Sequence, residues 1–114
     1  MERENIVVLK SIEFALAIIS YCEVLQENRK YVIANQLLKS GTSIGANIHE
    51  AQNAESKADF IHKMKIAAKE LDETKYWLIL CEKASSYPFD SNLKSQINEL
   101  GLIVYKIISS SRSH

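Results

Sequence analysis

The chain has 114 residues, 46% apolar and 25% charged, with three glycines and a single proline, the profile of one compact domain, since two would each be too small. Fourteen Lys and Arg balance 14 Asp and Glu, so no overall field draws the protein to a phosphate backbone or an anionic membrane, and any attraction of that kind needs a local basic patch. The most apolar window, Tyr76 to Cys81, is far too short to span a bilayer, and no signal-like segment opens the chain, so a soluble cytoplasmic protein of residues 1–114 is expected.

The first helix is expected over residues 4–26, where Ile6, Leu9, Ile12, Phe14, Ala17, Ile18, Tyr21, Cys22 and Leu25 recur at helical spacing. The stripe is wide, because Val7, Ala15 and Ile19 extend it, and suits a helix with two neighbours in its own chain or one neighbour and a second subunit. Glu27-Asn28-Arg29-Lys30 then forms a polar link of the length used in an antiparallel helical hairpin. A second helix is expected over 31–52, with Val32, Ile33, Leu37 and Leu38 as core. Its middle, Ser40 to Asn47, is a poor helix former: Gly41 and Gly45 each cost about 1 kcal/mol against alanine. Either another backbone packs closely on these small residues, or the helix breaks near Gly41.

Ser56 followed by Asp59 resembles a capping box with Asp in the place of Glu, so a third helix starts there and runs to about residue 85. Phe60, Met64, Ala67, Leu71, Thr74, Leu78 and Cys81 give it a heptad-like rhythm. Tyr87-Pro88-Phe89 ends it, because proline disfavours the helical state of the preceding residue. The last helix is capped by Asp90 or Ser91 and runs through Leu93, Ile97, Leu100, Ile103, Val104 and Ile107 to about residue 109, leaving 110–114 as a frayed tail. The pattern is all-α, an antiparallel up-down four-helix bundle.

Chemistry-bearing constellations are sparse. His49-Glu50 opens like a zinc-protease motif, but Asn53 stands where the second imidazole belongs. Glu70 and Glu73 lack the histidine that di-iron bundles require, so no metal and no cofactor is expected. Glu50, Glu70 and Glu73 would suit acid-base work only if buried together; as they stand, no catalytic residue is assigned. Cys22 and Cys81 lie in apolar stretches without metal-ligand spacing and read as buried free thiols. No phosphate loop is present. Lys57, Lys63, Lys65 and Lys69 are interleaved with Asp59, Glu70, Asp72 and Glu73, which reads first as a solvated face with pairs such as Asp59 and Lys63, and second as a candidate nucleic-acid surface.

The segments Ser43-Ile44-Gly45-Ala46-Asn47-Ile48-His49-Glu50-Ala51, Ser56-Lys57-Ala58-Asp59-Phe60, Ile66-Ala67-Ala68, Leu71-Asp72-Glu73-Thr74 and Trp77-Leu78 resemble the bacterial four-helix proteins encoded in ribosomal-RNA intervening sequences. The chain departs from that pattern at Gly45, where the family usually has proline, and at His49-Glu50-Ala51, where it has Ala-Glu-Gly. The resemblance implies a homopentamer around a central channel, with Ser43, Asn47, Glu50 and Glu73 at the family's characteristic polar positions. A related branch, the accessory variability determinants of diversity-generating retroelements, works with a reverse transcriptase and RNA through a basic surface. Two functions are therefore expected: a non-enzymatic, self-associating helical protein whose structural polar residues are those four, or an RNA- or DNA-associated accessory acting with a nucleic-acid-processing partner through the four lysines.

Overall fold

In the computed structural model, which describes residues 5–112, four helices follow one another: α1 (Ile6–Glu27), α2 (Tyr31–Ala51), α3 (Lys57–Lys83) and α4 (Ser91–Arg112). They form an antiparallel up-down bundle in which α1 packs on α2 and α4, and α3 packs on α2 and α4. The bundle measures 47 × 27 × 21 Å and leaves 7077 Å² exposed, more than the roughly 6,300 Å² usual for this mass, as its elongation requires.

Local chemistry fixes the helix ends. Asn5 caps α1 by accepting from the Val8 N–H at 3.4 Å, and its amide donates to Gln52 Oε1 at 2.7 Å, tying the start of α1 to the end of α2. Ser56 Oγ accepts from the Asp59 N–H at 3.0 Å, as expected, but Asp59 Oδ2 returns to the Glu55 N–H at 3.2 Å, one residue before the cap. Aspartate is one methylene shorter than glutamate, and its carboxylate meets the neighbouring amide. At the α4 start Asp90 Oδ1 accepts from the Asn92 N–H at 3.0 Å. The α1–α2 link turns on Arg29 at φ 61°, with the Lys30 N–H bonded to the Leu25 carbonyl at 2.8 Å, a helix stop usually given to glycine. α4 continues through Arg112, so Ser110, Ser111 and Arg112 of the expected tail are helical. Residues 113–114, and residue 4, where α1 was expected to begin, lie outside the described residues.

The third-helix rhythm is buried as expected at Met64, Ala67, Leu71, Thr74, Leu78 and Cys81, with Phe60 half-buried at its end. α1 departs from expectation. Val7 and Ser11 face the core, whereas Ile6, Leu9 and Ile12 point outward. The cause lies in α2, which is continuous through Ser40 to Asn47. A Cβ on Gly41 would lie 2.9 Å from Ile18 Cγ2, and one on Gly45 would lie 3.1 Å from Ser11 Oγ and 3.6 Å from the Ser11 carbonyl oxygen. The two glycines let α1 settle against α2, and that contact offsets the poor helix propensity of the segment.

Candidate functional site

Four places carry polar or exposed apolar side chains in quantity. The first is the α2–α3 seam. Lys39, Ser43, Asn47 and Glu50 recur at three- and four-residue steps along α2. Ser43 Oγ donates to the Lys39 carbonyl at 2.6 Å and Asn47 Nδ2 to the Ser43 carbonyl at 2.9 Å, so both serve their own helix. Glu50 crosses the seam: Lys63 Nζ donates to its Oε1 at 3.0 Å, and this bond raises the Lys63 pKa. Glu73 instead accepts from Trp77 Nε1–H at 3.2 Å on α3. Ser43, Asn47, Glu50 and Glu73 therefore do not converge on one point; each has a separate partner. Glu70, half-buried nearby, has its pKa raised first by burial and then by Glu73, with Lys39 opposing.

Beneath this row lies a contact that the residue types alone do not single out. Thr74 Oγ1 sits 2.9 Å from Ser40 Oγ and 2.7 Å from the Glu70 carbonyl oxygen, with Ser40 and Thr74 both buried. Having one hydroxyl proton, Thr74 gives it to the carbonyl and accepts from Ser40. The pair links α2 to α3 in the core.

The second place is the outer half of α3. Lys63 is taken by Glu50, not by Asp59, whose carboxylate is committed to the helix start. Lys65 and Lys69, one turn apart, are exposed and make no ion pair within 4.0 Å among the described residues. Lys57 is exposed at the first turn. The four lysines thus divide into an interhelical link and an exposed set.

The third is the end of the bundle where the two hairpin links meet. Tyr21 Oη donates to the Pro88 carbonyl at 2.6 Å and its ring meets Phe89 edge-on at 6.2 Å, while the Lys30 ammonium lies 5.0 Å from the centre of the Tyr87 ring. Cys22 Sγ donates to the Ala34 carbonyl at 3.4 Å, and both cysteines are buried and unpaired. Burial pushes the Cys22 thiol up to about 11 and raises Cys81 as well, so both stay protonated and poorly nucleophilic at neutral pH. Among the described residues no three His, Cys, Asp or Glu side chains are grouped to hold a metal ion.

The fourth is the outer face of α1. Leu9, Ile12, Leu16 and Ile19 follow at three- and four-residue steps and are 39–60% exposed, with no helix among the described residues covering them. Val32 and Leu102 are more exposed still, at 75% and 74%. No helix among the described residues is long and apolar enough to cross a membrane.

These features define a class: an all-α four-helix bundle with polar side chains joining its helix ends and seams and with apolar side chains exposed on its outer surface. The chain belongs to the 23S rRNA-intervening sequence protein family, whose sequence profile matches residues 3–106. It is similar to the crystal structure of a protein of unknown function from the S23 ribosomal protein family of Bacteroides thetaiotaomicron, with 41% identity and a TM-score of 0.84 over 90% of this chain and 97% of that one. No curated protein matches the chain.

Proposed function

We propose that the protein acts as a non-enzymatic, homo-oligomeric helical assembly in the cytoplasm, a homopentamer as the family resemblance implies. The observation that carries this reading is the stripe Leu9, Ile12, Leu16 and Ile19 on α1, apolar, regular and uncovered. Covering the exposed parts of these four side chains on both copies of a two-fold contact contributes roughly 6–10 kcal/mol. That lies inside the estimated 4–15 kcal/mol cost of fixing two bodies together, so a single such contact makes at most a weak dimer. A closed ring gives every copy two contacts where a two-fold dimer gives one, which favours the ring when each contact is weak. In this reading Ser43, Asn47, Glu50 and Glu73 are structural, stiffening α2 and α3 and joining them through Glu50 and Lys63.

Native mass spectrometry of the full chain tests the reading. A single closed species that becomes monomeric in Leu16→Glu, with helical content unchanged, is the expected result. A wild-type chain that stays monomeric at micromolar concentration removes the reading, and an assembly that survives Leu16→Glu removes α1 from the interface.

A second reading rests on Lys65 and Lys69, which stand exposed one turn apart and would be repeated by any ring symmetry: an accessory that contacts the phosphates of RNA or DNA, with Lys57 and Lys63 beside them. Its mark is association that weakens steeply with salt, since each neutralised phosphate contributes to the slope. Binding unaffected by salt, or unchanged in Lys65→Gln/Lys69→Gln, excludes it.

A further inference from the structure

The α3–α4 seam holds a pocket of about 130 Å³, lined by Lys75, Leu78, Ile79 and Glu82 of α3, Phe89 of the link, and Lys94, Ile97 and Asn98 of α4. Its walls are formed by the i, i+3, i+4 and i+7 positions of α3 facing the matching positions of α4, with Phe89 closing one end. Leu78 and Ile97 are buried, so the floor is apolar, and the volume is close to that of a Leu/Ile/Phe-lined cavity that accepts benzene, on the order of 150 Å³.

The charges at its rim are unequal. Lys94 Nζ lies 3.3 Å from Glu82 Oε2, so that pair is neutral as a unit. Lys75 has no hydrogen bond or ion pair among the described residues, yet it is half-buried at the pocket wall. Its ammonium lies 3.7 Å from where a Cβ on Gly101 would stand. The missing side chain of Gly101 leaves the room in which the lysine head lies against α4. An apolar floor with one unpaired cation at its edge is complementary to a compact apolar anion.

We infer that this pocket is a binding site for a small carboxylate with an aromatic or branched aliphatic body, the body seated against Leu78, Phe89 and Ile97 and the carboxylate on the Lys75 ammonium. The inference is independent of self-association through α1. An NMR titration of the full chain with benzoate, benzyl alcohol and benzylamine tests it. Saturable shifts are expected at the amides of Leu78, Ile79, Ile97, Asn98 and Gly101, with benzoate bound at least about tenfold more tightly than benzyl alcohol, the lower end of what a hydrogen bond to a charged group contributes. Benzylamine is expected to bind more weakly than either. Lys75→Met is expected to bring benzoate down to the affinity of benzyl alcohol, and Lys75→Arg to keep the preference. Shifts that never saturate or lie elsewhere overturn the site, as does equal binding of the three probes by the wild-type chain. Benzoate affinity unchanged in folded Lys75→Met overturns the role given to Lys75. Should Lys75→Met fail to fold, the wild-type comparison of anion, alcohol and amine decides the matter without it.

Discussion

The α1–α2 and α3–α4 seams both contain glycine, and they use it in opposite ways. On the α1–α2 side Gly41 meets Ile18, a β-branched and fully buried side chain, at a distance no added methyl could occupy without displacing it. On the α3–α4 side the nearest atom to a Cβ on Gly101 would be Leu71 Cδ2 at 3.4 Å, an ordinary contact, and the room left over is shared with the head of Lys75, which also lines the pocket on this seam. One seam is closed by its glycines and the other is left partly open. Glycine in a helix therefore does not report close approach by itself; what stands opposite it decides.

The largest way to test that contrast is to empty the seam that is already looser. Leu71 is fully buried, and Leu71→Ala is expected to lower stability by about 2–5 kcal/mol, toward the upper end if α3 and α4 cannot close further. Chemical denaturation of monomer and assembly at several protein concentrations separates the fold from self-association. A loss below about 1 kcal/mol would mean that the seam collapses on the cavity and that its openness is not built in. Next in size is Thr74→Val, which leaves the buried Ser40 hydroxyl without its partner and is expected to cost about 1–3 kcal/mol. The double change Ser40→Ala/Thr74→Val removes both hydroxyls and is expected to cost less than the single one, the mark of a paired interaction in a double-mutant cycle.

The glycines give the direct comparison. Gly41→Ala gains helix propensity but forces Ile18 to move, and overpacking of about 1–3 kcal/mol against a gain near 1 kcal/mol leaves it destabilising. Gly101→Ala meets no such obstacle and is expected to stabilise by about 0.5–1 kcal/mol. Thermal unfolding of the two variants side by side should shift the midpoint in opposite directions. Equal shifts would erase the distinction between the seams.

Much of this fold could be read from residue order. The spacing of Met64, Leu71, Thr74, Leu78 and Cys81 needs only the helical repeat to predict its buried face, and the structure buries all five. The continuity of α2 could not be read that way, because propensity at Gly41 and Gly45 opposes it and the contribution that overrides propensity comes from Ile18 and Ser11, more than twenty residues away in sequence. The partner of Lys63 escaped for a related reason. Asp59 sits at the favourable four-residue step, but it is already engaged at the helix start, so the lysine reaches Glu50 on α2 instead. The width of the α1 stripe signalled that some apolar residues would stay uncovered, yet not which: Leu9 and Ile12 face out while Val7 and Ser11 face in, a rotation set by the glycines across the seam. Lys75 and Gly101 carry no local motif, and their meeting depends on the register between α3 and α4.

The smallest expected effect lies on the α3–α4 seam at high pH. Tyr105 Oη donates to Asp72 Oδ1 at 2.6 Å, and burial together with that carboxylate pushes the phenol up to about 12 from its ordinary value near 10. Because the folded form holds its proton more tightly than the unfolded chain, the contribution is fully present below about pH 10 and is lost as pH rises through about 12. Tyr105 is 43% exposed, so solvent limits the contribution, and Tyr105→Phe at neutral pH is expected to change stability by less than about 1 kcal/mol. The variant should nevertheless flatten the alkaline loss of stability, leaving the share due to Cys22, Cys81 and Tyr21, all raised by burial near the end of the bundle where the hairpin links meet. Unfolding midpoints measured across that pH window check this, with tyrosinate absorbance following the two rings. If Tyr105→Phe left the alkaline slope intact, the link from α4 to Asp72 would contribute nothing, and the α3–α4 seam would be held by Leu71 and its apolar neighbours together with the Lys94–Glu82 pair.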